Sequence, residues 1–343
     1  MAEYITFQPS DYFSTLLWEG TGASNAITGV GFQPDIVWIK DRDSTAQGQI
    51  ADSPSGATKY WVPSENYSQS TNGESIKSFD SDGYTLGTQG NVNASGNSIV
   101  GWNWKGGTTS GIDATGADIT PTSYSFNQTG GISVIRYTGN GTTGAKIAHG
   151  LGSVPQFIFV QNTQTFENRL VYHVSLGNTK YIILNTTAGD ATAARWNDAT
   201  PTSVYFEVDD NDAANKSGET IMAYCFAEKK GFSKFSSYVG NGNANGPFIY
   251  TGFRPNLIIR KTTGTDYWSM VDTKRLGYNP QNDYLFPSSD AAEGSQQRID
   301  ILSNGFKVRT TDTAGNTNGT EYIYAAFAEF PIVSSNDVPG TAR

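Results

Sequence analysis

The sequence predicts an all-β protein: three tandem antiparallel β-sandwich repeats of jelly-roll or lectin-like type, about 100 residues each. Three observations lead there. Only 16% of residues are charged, while Gly numbers 38 and aromatics reach 13%, a profile of strands joined by polar turns and not of a disordered chain. No segment keeps a 3.6-residue apolar period through three turns without a Gly or Pro. A punctuated strand also recurs: "TGVGFQPDIVWIKDR" from Thr28 has counterparts in "GLGSVPQFIFVQNT" from Gly150 and "TGFRPNLIIRKTT" from Thr251. In each, a proline stands where a strand can begin but where its middle could not accept one.

The repeat rests on spacing. Taking Pro34, Pro155 and Pro255 as origins, a glycine opening the last strand follows at Gly96, Gly218 and Gly319, which is 62, 63 and 64 residues on. Eight residues after each glycine stands an aromatic: Trp104, Phe226 and Phe327. Tyr60, Tyr181 and Tyr284 lie 26, 26 and 29 residues after their prolines. Asp82-Gly83 and Asn304-Gly305 mark one turn in the first and third units. Superimposable strands led by the three prolines, and buried equivalents at the three aromatics, are the expectation.

The elements follow in order. Residues 1–11 precede the first repeat and form a segment expected to dock on a neighbouring chain or second copy. Repeat 1 spans 12–107. Residues 108–130, rich in Gly, Thr and Ala, read as a linker with one strand at most. Repeat 2 spans 131–230, a short junction 231–236 allows little freedom, repeat 3 spans 237–331, and 332–343 is a C-terminal tail. The "GNG" stretches at Gly139 and Gly240 read as type I′ hairpin turns. The acidic stretch from Glu207 to Glu219 lacks the spacing of a calcium loop and reads as a solvated turn.

Chemistry is sparse. A net charge of -9 and a pI near 4.8 disfavour binding to a phosphate backbone. No apolar run approaches the roughly 18 residues that would cross a bilayer. The N-terminus has no signal-peptide pattern, and the single Cys225 excludes an intrachain disulfide and reads as a small core residue. His149 sits in a turn. His173 occupies a column with Asp52 and Asp272, which suits a polar cap on a strand end. No nucleophile elbow, metal-ligand set or phosphate loop stands out, so neither enzyme, metal nor cofactor is expected. Candidate ligand-binding aromatics are those in turn-rich segments: Trp61, Trp196, Tyr267, Trp268 and Tyr278, whose faces could stack on sugars or fill a protein interface.

The stretches "FQPSDYFSTLLWEGTGASNAITGVGFQPDIVWIKDR", "YHVSLGNTKYIILNTT", "AYCFAEKKGFSKFSSYVGNGNANGPFIYTGFRPNLIIRK" and "ILSNGFKVRTTD" resemble tail-fibre-like and structural virion proteins of marine tailed bacteriophages, and the resemblance covers essentially the whole chain. It implies a particle component assembled in the bacterial cytoplasm and contributing to host-surface attachment. Capsid-surface decoration is the alternative and a polysaccharide depolymerase a lesser one. No heptads of a fibrous shaft appear, so a compact appendage is expected. Expected partners are other virion proteins, further copies of the chain in a symmetric oligomer such as a trimer, and a host glycan or protein; nucleic acid and membrane insertion are not expected.

Overall fold

Alternation decides which residues of a strand meet the interior, and Gly and Pro decide where strands stop. The computed structural model describes residue 5, residues 7–275, residue 279 and residues 282–329, with the backbone of 332–333 and 339–340. Tyr278, most of the first six residues and the side chains of the C-terminal tail lie outside the described residues.

The first third of the chain forms β1 (Phe13–Glu19), β2 (Asn25–Thr28), β3 (Ile36–Asp41), β4 (Gln49–Asp52), β5 (Lys59–Tyr60), β6 (Ser70–Thr71), β7 (Ile76–Asp80), β8 (Gly83–Leu86) and β9 (Ser98–Trp104). The middle forms β10 (Ser123–Asn127), β11 (Ile132–Thr138), β12 (Ala145–Ala148), β13 (Phe157–Asn162), β14 (Leu170–His173), β15 (Lys180–Ile183), β16 (Ala191–Thr192), β17 (Tyr205–Val208) and β18 (Thr220–Phe226). The last third forms β19 (Ser233–Val239), β20 (Phe248–Tyr250), β21 (Leu257–Thr262), β22 (Ser269–Asp272), β23 (Asn282–Leu285), β24 (Gly294–Gln296), β25 (Ile299–Leu302), β26 (Gly305–Val308) and β27 (Glu321–Phe327).

These strands pair antiparallel into open sheets. The main sheets run β1-β9-β3-β4, β10-β11-β18-β13-β14-β15-β16 and β19-β27-β21-β22-β23-β24. Smaller sheets run β2-β8-β7, β12-β17 and β20-β26-β25. Registers match across the thirds. Trp104, Phe226 and Phe327 stand opposite Phe13, Ile132 and Ser233 on one side, and opposite Ile36, Phe157 and Leu257 on the other. The proline-led strands start two residues after Pro34, Pro155 and Pro255, because proline has no N–H for the ladder.

One face of every main sheet turns toward a common centre. There Trp104, Phe226 and Phe327 touch one another, with ring centroids 6.1, 5.6 and 5.5 Å apart pairwise. Ile36, Trp38, Phe157, Phe159 and Ile259 surround them and leave a gap of about one water molecule. The opposite face of each main sheet packs on its small sheet. In the first third, Ile27 and Tyr84 meet Val37 and Ile99; in the second, Ile147 and Phe206 meet Ile158 and Ala223. This double burial is why β3, β13 and β21 are apolar on both sides, and it keeps Cys225 fully enclosed.

The ring closes through equivalent backbone bonds. Gln69 N donates to Thr163 O at 3.0 Å, Asp190 N to Thr263 O at 2.9 Å, and Glu293 N to Arg42 O at 2.8 Å. Each bond ties the residue just before β6, β16 or β24 to the residue just beyond the proline-led strand of the next third.

Several sequence expectations change. The "GNG" stretches are not hairpin turns: each carries the chain from a main sheet to its small sheet. Gly139 N donates to Glu219 O and Gly240 N to Thr320 O, and a Cβ on either glycine would stand 2.4 Å from a carbonyl oxygen, of Lys216 and Thr317 respectively. The acidic stretch is not simply a solvated turn, because it contains a helical turn, Asp212–Asn215, with Ala213 and Ala214 buried. The junction 231–236 is largely strand, since β19 begins at Ser233. The linker 108–130 is a packed strap that supplies β10 and a parallel bridge from Ile119 to Ile147. The N-terminal segment packs within its own chain: Ile5 is buried, and Phe7 lies against Tyr12 and Phe232 at 5.1 and 5.6 Å.

Candidate functional site

The Asp52, His173 and Asp272 column ends β4, β14 and β22, and each member works twice. One side-chain atom caps its own strand end, accepting Ser55 N at 2.8 Å, Ser175 N at 3.1 Å, or Lys274 N and Arg275 N at 3.0 Å. The other atom crosses to the next third. Tyr224 OH donates to Asp52 Oδ2 at 2.7 Å and itself accepts Trp61 Nε1 at 2.6 Å. Trp102 Nε1 donates to Asp272 Oδ2 at 3.1 Å, beside Arg275 Nε at 2.8 Å. His173 donates from Nε2 to Tyr324 O at 3.1 Å, because its Nδ1 is already an acceptor. Burial raises the Asp52 carboxyl above its ordinary range and pushes His173 down to about 4.

A second column joins the same seams. Lys40, Gln161 and Lys261 each stand six residues after their prolines and are buried. Lys40 Nζ donates to Ala46 O and Asp290 O, Gln161 Nε2 to Tyr67 O, and Lys261 Nζ to Gly264 O and Thr187 O. Burial pushes both lysines down to about 8. His149 is likewise enclosed, donating Nε2–H to Thr202 O at 3.1 Å, and burial brings it to about 4. These titratable groups hold the body together, and Lys40 also lines a small pocket with Trp38, Trp102 and Pro287. Among the described residues no group of His, Cys, Asp and Glu could hold a metal ion.

A third column was not visible as such in the sequence. Asn93, Asn215 and Asn316 are completely buried. Each accepts a backbone N–H from the Gly-x-Gly crossover, of Thr21, Asn140 and Asn241. Each returns its amide to two carbonyls: Ala23 and Gly87, Thr142 and Asp209, Asn243 and Thr310. The available signal was their constant position three residues before Gly96, Gly218 and Gly319.

The ligand-binding aromatics largely move inward. Trp61, Trp196 and Trp268 are core residues and present no face to solvent. Trp61 and Trp268 can be buried at little cost because their indole N–H groups find Tyr224 OH and Ile183 O. Tyr267 alone of the described candidates is exposed, leaning on Phe286 at 5.0 Å.

Other outward aromatics lie elsewhere: Phe166 stands beside Tyr67, with ring centroids 6.2 Å apart, and two more occupy the last small sheet. Phe248 and Tyr250 alternate around buried Ile249 on β20 and are 46% and 63% exposed, with Leu302 across Gly305 on β25. At the same positions β2 carries Ala26 and Thr28, and β12 carries Lys146 and Ala148. The architecture does not require aromatic rings there, since two thirds of the molecule do without them. They form a candidate contact surface.

Residues 8–331 match a family described as a domain of unknown function (DUF7483), and the chain belongs to that family. No curated protein matches the chain, and no solved structure does. No helix among the described residues is long and apolar enough to cross a membrane.

Proposed function

Starting from that family membership, we propose that the chain is a structural component of a bacteriophage particle, of tail-fibre or tail-appendage type. In this reading three tandem β-sandwich repeats form one body that contributes to particle assembly and to attachment at the host surface. The observation that carries it is the closed ring: three equivalent seams bonded at Gln69–Thr163, Asp190–Thr263 and Glu293–Arg42 within a single chain. Such a body offers near-threefold geometry without a second copy, which suits a threefold or sixfold position on a particle. The symmetric homo-oligomer, such as a trimer, expected from open sheet edges belongs to this proposal, and the mass of the purified protein in solution tests it. Its polar, weakly charged surface and the outward Phe248 and Tyr250 suit a contact module, and host contact is assigned to that last small sheet.

Placing the chain in a map of the intact particle tests the reading. Density at the tail or its junction is the expected result. Placement on the capsid surface would favour a decoration protein, and absence from the particle would overturn both.

A further inference from the structure

The strap 108–130 shows what the middle third needs and the last third lacks. It first runs along the outer edge of β12. There Asp118 N and Ile119 N donate to Lys146 O at 2.9 Å each, and Ala148 N returns to Ile119 O at 3.2 Å. It then continues as β10 along the outer edge of β11, where Thr122 N donates to Arg136 O at 2.8 Å. Its Ser123 Oγ also reaches Pro54 O of the preceding third at 2.9 Å.

No described segment pairs along the equivalent edges of the last third. The ladder bonds of Gly240 to Thr320 and of Val308 to Pro247 turn even-numbered residues of β19 toward β27 and odd-numbered residues around β20 toward β26. The backbone groups of Ser237 and Val239 on β19, and of Phe248 and Tyr250 on β20, therefore point outward. They have no backbone partner among the described residues. Chain length explains the gap, because only residues 227–232 separate β18 from β19 and cannot supply a strap. The side chains differ as well. The positions that are Val239, Phe248 and Tyr250 here are Glu19, Ala26 and Thr28 in the first third and Thr138, Lys146 and Ala148 in the middle. Charged, polar or small residues occupy these positions on the other edges, while here they are large and apolar or aromatic, with Val239 57% exposed.

We propose that the β19 and β20 edges of the last third are a strand-addition site for an extended segment of another polypeptide, a strap in trans that repeats the path of residues 117–128. The chemistry of the occupant is read from the strap already present: a bridging aliphatic residue, a proline-marked bend, then alternating serine and aromatic residues, as in "ADITPTSYSFNQ". Main-chain bonds supply the register, and Phe248, Tyr250 and Val239 supply apolar contact. The proposal requires only the fold and does not depend on the virion reading.

The probe is a synthetic peptide of residues 117–128, titrated against the full-length protein by fluorescence anisotropy, with a scrambled peptide as control. Saturable binding of the native order is expected. Phe248→Lys with Tyr250→Lys should weaken it about tenfold or more while leaving thermal unfolding unchanged, and Thr28→Lys on the first third should not affect it. No binding up to about 1 mM peptide, equal binding of the scrambled peptide, or indifference to the double substitution would overturn the proposal. So would a self-associated wild type that becomes monomeric in the double variant, since the edge would then belong to a second copy.

Discussion

Two seams of this molecule have the same backbone and different chemistry. Between the first and middle thirds, Asp52 meets the hydroxyl of Tyr224, which also receives Trp61. Between the middle and last thirds, the residue in the place of Tyr224 is Ala325, two before the central aromatic Phe327. With no side-chain donor available, the polar group opposite reaches the backbone carbonyl of Tyr324 instead. A carboxylate there would face an oxygen lone pair, and the column accordingly holds His173, whose Nε2–H can donate. The pairing rule therefore belongs to the seam and not to the single position: loss of an aromatic donor on one side goes with gain of a donor on the other.

The largest expected effect removes what both seams share. Phe226 lies against Trp104, Phe157, Phe159 and Phe327, so Phe226→Ala should destabilise by about 3–5 kcal/mol in guanidinium unfolding. A loss under about 1 kcal/mol would mean that the centre does not couple the thirds.

Tyr224→Ala gives the first seam the composition of the second on one side only. It should cost about 3–5 kcal/mol, since it opens a cavity and leaves Asp52 Oδ2 and the Trp61 indole N–H buried without their partner. Adding Asp52→His completes the imitation of His173 with Ala325 and should recover about 1 kcal/mol or more. If the double variant is no more stable than Tyr224→Ala alone, the compensation argument fails.

Acid separates the seams. Buried His173 and His149 titrate near 4 when folded, against about 6.5 when unfolded. Between those values the unfolded chain binds more protons, so their contribution is present above pH 6.5 and is lost as pH falls toward 4. The loss is up to roughly 3 kcal/mol for each. Burial acts the other way on Asp52, whose raised carboxyl favours the folded state in acid. His173→Asn, which keeps a donor, should therefore flatten the acid limb of the unfolding midpoint while leaving the neutral value within about 1 kcal/mol. An unchanged acid limb would show that His173 is not held neutral.

The smallest effect concerns the second column. Lys261→Gln copies Gln161 and should change stability by less than about 1 kcal/mol at pH 7. Lys261 titrates near 8 when folded, so the wild type should gain stability as pH rises from about 8 toward the unfolded value near 10.4. The variant should lose that part of the gain, and equal slopes for the two proteins over this range would refute the assignment.

Much of the backbone was legible beforehand because strands and turns are written locally. Proline cannot enter a ladder and alternation marks a buried face, so the intervals from Pro34, Pro155 and Pro255 to their glycines located corresponding strands. The strand-capping role of Asp52, His173 and Asp272 was also readable, since a cap acts on its own neighbours. Trp61, Trp196 and Trp268 were misplaced because a turn-rich neighbourhood says nothing about what packs above it. Phe248 and Tyr250 carried a readable sign, two aromatics flanking an inward Ile249, but no way to show that no described residue covers them.

By itself, then, the sequence determined an all-β chain, the intervals at which its strands recur and the small number of its charged residues, histidines and cysteines. Those properties depend on residue type and on spacing along the chain. The tertiary structure alone decided that the three main sheets share one centre, that the column of Asp, His and Asp reaches across seams, and that among the described residues a strap covers the middle third but not the last. Contacts between residues such as His173 and Tyr324, 151 positions apart, leave no periodic mark on the chain, because they depend on how finished sheets pack and not on how each strand forms.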